Sequence, residues 1–193
     1  MSGAVVGLSD MHYALLTKDD DTGVTYGPVT AISKQAVSAK ISPKTNSATL
    51  YADDGPIDTS STIGEVDVTI QLADLPMEVR AALLGHTMGD DGVILEKTTD
   101  VAPYVAFGFR SRKSNGKYRY VWLLKGQFAP PEDDYQTQNG QTSYQQPSIT
   151  GTFVMRAYDS AYQAIADEDT ASFTTGSTWF TTVPGGTSGT TGT

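Results

Sequence analysis

Cysteine is absent from the 193 residues, which excludes disulfide staples, thiolate nucleophiles and cysteine-held metals. Histidine is scarce: His12 and His86 are the only two, and neither has a spaced His, Asp or Glu partner of the kind a zinc or iron site uses. Basic residues are the minority, 13 against 22 acidic, for a formal charge of -9. The chain as a whole is therefore not drawn to anionic membranes or nucleic acid. No apolar run approaches the roughly 20 residues of a bilayer span. Met1-Ser2-Gly3-Ala4 lacks the basic and apolar blocks of a signal peptide, so a soluble protein is expected. A glycine-rich phosphate loop and a nucleophile elbow are missing too. Asp53, Asp54, Asp58, Glu65 and Asp67 come nearest to a carboxylate cluster. Their neighbours are polar and offer no apolar pocket to raise a pKa, so neither an enzyme nor a cofactor is predicted. Asp19-Asp20-Asp21 invites a calcium-loop reading, but Tyr26-Gly27-Pro28-Val29 lacks the later oxygen ligands, and a solvated turn is the better expectation.

What is present is β material. Glu65–Leu72 alternates, with Val66, Val68, Ile70 and Leu72 on one face and Glu65, Asp67, Thr69 and Gln71 on the other. Asp74 then reads as the N-cap of a short helix to about residue 84, with Pro76 in its first turn and Gly85 as its stop. Strands are expected over Leu8–Lys18, around Val24 and Tyr26, over Val29–Ile32, at Val93–Leu95, and over Tyr104–Phe109 and Tyr118–Lys125. Asn115-Gly116 between the last two predicts a hairpin with a type I′ turn. Tyr118, Tyr120, Trp122 and Leu124 share one face of the return strand and Val121 and Leu123 the other, so it is central to a sandwich or covered by a partner. Ile149–Tyr158 closes the body, and Ala161–Ala166 suggests a helical turn. One short helix against so much strand gives a mainly β sandwich or barrel.

Three stretches stand apart. Residues 37–62 have few core anchors and a Pro-Lys-Thr-Asn turn, an excursion too long for a plain connection, so a long extended arm is expected. Arg110, Arg112, Lys113, Lys117, Arg119 and Lys125 lie in sixteen positions without an acid, a basic patch that seeks an acidic neighbour on another copy. Gln136–Gln146 reads as a second flexible or interface loop. Beyond Asp167 the chain is mostly Thr, Gly and Ser, so residues 1–168 form the folded domain and 169–193 a tail at least partly disordered, anchored if at all by Phe173, Trp179 and Phe180.

Several blocks taken in order resemble a known family. They are Tyr13-Ala14-Leu15-Leu16-Thr17, Ile41-Ser42-Pro43-Lys44-Thr45-Asn46 through Tyr51-Ala52-Asp53-Asp54-Gly55, Ala73-Asp74-Leu75-Pro76, Leu83-Leu84-Gly85-His86, Pro103-Tyr104-Val105-Ala106-Phe107-Gly108-Phe109-Arg110, Ser114-Asn115-Gly116-Lys117-Tyr118 and Ile149-Thr150-Gly151-Thr152-Phe153. The chain from about Val6 to Asp167 is similar to the phi13-type major tail proteins, the tail tube subunits of long-tailed, non-contractile bacteriophages. The resemblance implies a β-sandwich or barrel with a flanking helix. It implies six copies in a ring and rings stacked into a tube through which the genome leaves. It also implies partners: further copies of the chain, a tape measure protein inside the tube, tail-tip and tail-terminator proteins, and DNA in passage without specific binding. Assembly would take place in the host cytoplasm, without a membrane. On this reading Pro43, Lys44, Asn46, Leu50, Tyr51, Asp53 and Asp54 are inter-subunit arm residues, and Glu65, Asp67, Thr69 and Gln71 face the bore. A β-sandwich decoration or carbohydrate-binding module of a virion is the alternative.

Overall fold

The computed structural model describes residues 2–32, 36–52, 55–132 and 146–188. In chain order the elements are β1 (Val5–Asp20), β2 (Gly23–Tyr26), β3 (Thr30–Ala31), β4 (Ala36–Ala52), β5 (Gly55–Leu72), α1 (Met77–Leu84), β6 (Thr87–Met88) and β7 (Ile94–Leu95). They continue with β8 (Val105–Lys113), β9 (Tyr118–Phe128), β10 (Ser148–Phe153), β11 (Gln163–Asp167) and β12 (Thr187–Ser188). Ten strands make one sheet in the order β12-β2-β1-β8-β9-β10-β5-β4, with β11 beside β9 and β3 beside β1; β6 and β7 form a separate pair. All pairings are antiparallel except β12 with β2. The fold is thus mainly β with one short helix, and the sheet does not close into a barrel.

Alternation puts the core where it is. On β5, Val66, Val68, Ile70 and Leu72 are almost wholly buried, and Ile149 and Phe153 of β10 share their layer. Phe107 and Phe109 of β8, Val121 and Leu123 of β9 and the α1 residues Val79, Leu83 and Leu84 complete it. The opposite face of β1, β8 and β9 carries a second layer built from Ala14, Ala106, Trp122 and Leu124 with Tyr26 and Val183. β9 is therefore buried on both faces, which explains its unbroken apolar run.

Close packing makes one glycine irreplaceable. A Cβ on Gly126 would lie 2.4 Å from the Phe153 ring, which is itself fully buried and wedged edge-on against Phe128. Gly126→Ala is expected to destabilise by about 3 kcal/mol, at the upper end for overpacking, because the ring has nowhere to move. Calorimetry should show a melting temperature lower by about 6–12 °C for a chain of this size.

Three local expectations are corrected. Asp74 does not cap α1: Pro76 occupies the N-cap with φ -54° and ψ 139°, and no side chain bonds the free N–H groups. The residue before a proline is biased to extended backbone, so the chain enters the helix two residues later than Asp74 would require. Gly85 does end it, in the left-handed region at φ 73°, where a Cβ would meet the Val101 carbonyl oxygen at 2.3 Å. The β8–β9 hairpin forms around Asn115-Gly116, but only Gly116 has positive φ. The Gly116 N–H donates to Lys113 O and the Lys113 N–H to Lys117 O, the pattern of a type I turn followed by a glycine bulge instead of type I′. Residues 163–167 are a strand, β11, not a helical turn, because the open edge of β9 from Arg119 to Leu123 supplies a ladder that local propensity does not foresee.

The Thr/Gly/Ser tail is placed as far as Ser188. Phe173, Trp179 and Phe180 pack on Tyr120, and Phe180 packs also on Trp122. The Trp122 indole N–H donates to the Trp179 carbonyl at 3.2 Å. Val183 is buried, and β12 pairs with β2. The interface-loop reading of Gln136–Gln146 falls, but for its last residue, outside the described residues.

Candidate functional site

The arm expected over residues 37–62 is the outer part of a long β-ribbon. β4 and β5 pair from Ala36 with Leu72 to Ala52 with Gly55, whereas β10 covers β5 only from Val66 to Gln71. Beyond the Pro43–Val66 pair the ribbon has two strands and no third, so at about 3.4 Å per residue its free part extends about 30 Å from the body. An isolated two-stranded ribbon is marginal in water and gains most from a further strand or surface. Leu50, Ile57 and Ile63 are 63%, 64% and 47% exposed on it. Pro43, Lys44, Asn46 and Leu50 lie on β4 of this ribbon and Tyr51 pairs there with Pro56 through the backbone, while Asp53 and Asp54 fall outside the described residues.

At the ribbon's base Glu65, Asp67, Thr69 and Gln71 form one outward polar face, as the alternation predicts. It continues sideways through Ser38, Lys40 and Ser42 of β4 and Ser148, Thr150 and Thr152 of β10, their register partners. Lys44 Nζ lies 3.3 Å from Glu65 and 3.0 Å from Asp67. Bonds to Asp67 and then Glu65 raise the lysine pKa. The face is polar but balanced in sign, two carboxylates against Lys40 and Lys44.

The run of basic residues is not a free patch. Arg110 pairs with Asp10, Lys117 with Asp169, Arg119 with Asp167 and Lys125 with Asp19. Lys113 is buried, and its ammonium meets Asp167 at 2.8 Å and also Asp169. Only Arg112 of the six lacks an ion pair among the described residues. The acids that meet the run in the structure belong to this same chain. The Lys113 bond holds the Asp167 carboxyl down at about 2 and keeps Asp169 lower still. Asp169 also accepts from the Gly3 N–H and Asn115, and Glu168 accepts from the Tyr118 N–H and the Tyr120 hydroxyl. One cluster thereby ties the N-terminus, the β8–β9 turn and the start of the tail together. Its signal in the sequence is Asp167-Glu168-Asp169, an acidic triplet as free of bases as the run is of acids.

Both histidines and Asp19 are engaged in local contacts. His12 stacks on Phe180 with centroids 4.2 Å apart, and burial lowers its pKa. His86 meets Asp100 at 2.7 Å just past the end of α1. Asp19 receives the Ala157 and Tyr158 N–H groups as well as Lys125, bonds that outweigh burial and lower its pKa, so it locks a turn. Among the described residues no group of three His, Asp or Glu is placed to hold a metal, and no helix is long and apolar enough to cross a membrane. Trp122, the platform a carbohydrate-binding reading would use, is fully buried under Phe180.

No curated protein matches the chain. The family model for phage tail tube proteins matches residues 4–191, a span that takes in the sheet, the helix, the ribbon and the folded-back tail alike. With nearly its whole length matched, the chain belongs to the phage tail tube protein family and is a structural protein of the virion tail.

Proposed function

We propose that six copies close into a ring and that rings stack into a hollow tube that conducts the phage genome during ejection from a siphovirus-type tail. The observation that carries this is the ribbon: about 30 Å of two-stranded sheet with both edges unpaired and apolar side chains in water. Such a feature is a liability in a monomer and an asset in an assembly, because open edges pair with another chain. The ribbon, with Pro43, Lys44, Asn46, Leu50, Tyr51, Asp53 and Asp54, reaches a neighbouring copy. The face of Glu65, Asp67, Thr69 and Gln71 lines the bore, where a polar surface whose lysines are matched by carboxylates gives phosphates little to grip. The tape measure protein occupies the tube during assembly in the host cytoplasm, and tail-tip and tail-terminator proteins close its two ends.

Negative-stain microscopy over a concentration series, with light scattering on the same samples, tests this reading. Hollow tubes or six-fold rings are expected. Monomers at every concentration, with purified tail-tip complex added, would overturn it. Replacing residues 46–62 by an Asn-Gly turn should abolish tubes while the melting temperature stays within about 3 °C, since the removed segment buries almost nothing in the body. A ribbon-less protein that still forms tubes would remove the ribbon from the assembly.

A further inference from the structure

The first residues of β1 and the end strand β4 come close to one another without pairing. Residues 5–9 of β1 are bonded to β8 on one side, and on the other β1 meets β3 and β2 only from His12 onward. β4 is bonded to β5 alone. Between these two edges lies a groove of about 430 Å³ whose walls are Val5 and Leu8 of β1 and Val37 and Ala39 of β4, over Phe109 and Val121. Phe109 and Val121 are core residues, whereas Val5 and Val37 at the mouth are 50% and 40% exposed. Arg119 also lines it, half exposed, with its guanidinium on Asp167. An apolar floor between two unpaired strand edges is the kind of surface that takes an added strand or an apolar anchor.

We infer that this groove receives the tip of the β4–β5 ribbon of a second copy, with Ile57 as the anchor. Ile57 is the extra residue of a bulge: Leu50 pairs with Asp58 and Tyr51 with Pro56, so Ile57 has no opposite number. A bulge re-aims a side chain out of the ladder, and Ile57 is 64% exposed there. The occupant cannot be the chain's own ribbon. From Val37 in the wall to Leu50 near the tip the paired strand runs outward for about 40 Å, so it could return only by melting. The contact is heterologous, tip to groove, and it propagates from copy to copy instead of ending at a dimer. It rests on the tube reading only in taking another copy as partner, and it adds which surface accepts the ribbon.

The absence of native cysteine makes the test clean. Val37→Cys and Ile57→Cys are made on separate copies, mixed and oxidised. The control pairs Ile57→Cys with Val101→Cys, a position 76% exposed outside the groove. Disulfide-linked dimer at least about tenfold above the control is expected, because cysteines whose Cα atoms stay more than about 7 Å apart are not bridged. A yield equal to the control overturns the assignment, whether or not the wild-type protein forms rings. Cross-links without rings in the microscope would leave the groove standing and remove the ring; rings without cross-links would do the reverse. A chain carrying both cysteines should give a ladder of oligomers, and a product that stops at the dimer would overturn the tip-to-groove direction.

Discussion

A chain ended at Thr170 is expected to lose its cooperative melting transition and to collect mostly in the insoluble fraction. The missing residues hold Phe173, Trp179, Phe180 and Val183, the cover of the second apolar layer. Tyr120 and Trp122 are 2% and 0% exposed because those rings lie on them, and Tyr26 is shielded at the sheet edge where β12 pairs with β2. Each large apolar side chain contributes about 1.5–3 kcal/mol on burial, so losing three or four approaches the about 5–15 kcal/mol that holds a domain together. Truncation also uncovers the outer edge of β2 beside a bare aromatic surface, a combination that favours aggregation. Near-ultraviolet circular dichroism and a thermal melt check this. A truncated protein that stays soluble and melts within about 3 °C of the full chain would show the tail to be ornament.

That tail marks where the sequence was hard to read. Its Thr, Gly and Ser content argues against a core of its own; the anchors the sequence offers, Phe173, Trp179 and Phe180, together with Val183 attach it to the apolar face of β9. The doubly apolar pattern of Tyr118–Lys125 showed that such a face needed a cover but not what supplied it. Elsewhere the legible parts were those with strong contrast. Val66 to Leu72 alternates cleanly and folds as read, and Gly85 stops the helix where it stands. The ribbon was visible as an excess of length without anchors, yet its pairing was not. Thr, Ser and Ala on both faces give no contrast for periodicity to detect, and the register is set where β5 joins the body instead. Intrachain partners of the basic run such as Asp10, Asp167 and Asp169 are not legible because they are distant in the chain. Strand β11 brings two of them to Lys113, and a bulge at Asp10, φ 51°, brings the third to Arg110. The groove has no sequence signature, since it exists only where the first residues of β1 come beside β4.

The same cluster gives the other large effect. Lys113→Met should be the most damaging charge deletion in the molecule, well beyond Arg112→Ala, which breaks no ion pair among the described residues. Without the ammonium, Asp167 keeps Arg119 at 2.9 Å and Asp169 keeps Lys117 at 3.4 Å, but the charge that both carboxylates share is gone. Removing one partner of a buried pair strands the other charge, whereas replacing the whole set by neutral groups can be nearly neutral in stability. Lys113→Met combined with Asp167→Asn and Asp169→Asn should therefore recover most of the loss. The pH dependence separates this account from simple loss of packing. In the native protein the Asp167 pKa is depressed to about 2, so its contribution is complete above its ordinary value near 3.8 and is lost as pH falls toward 2. Bonds to Asp167 and Asp169, against the pull of burial, raise the Lys113 pKa above 10.5, so its contribution is lost only above that. Between those limits the cluster adds no slope. In Lys113→Met the sign reverses, because two like charges held together raise a carboxyl pKa. The folded state then takes up a proton more readily than the unfolded chain, and stability relative to the native protein should rise as pH is lowered from 7 to 4. Denaturant midpoints across that range decide it. A variant whose deficit against the native protein is constant from pH 7 to 4 would show that Lys113 acts through its volume and not through its charge.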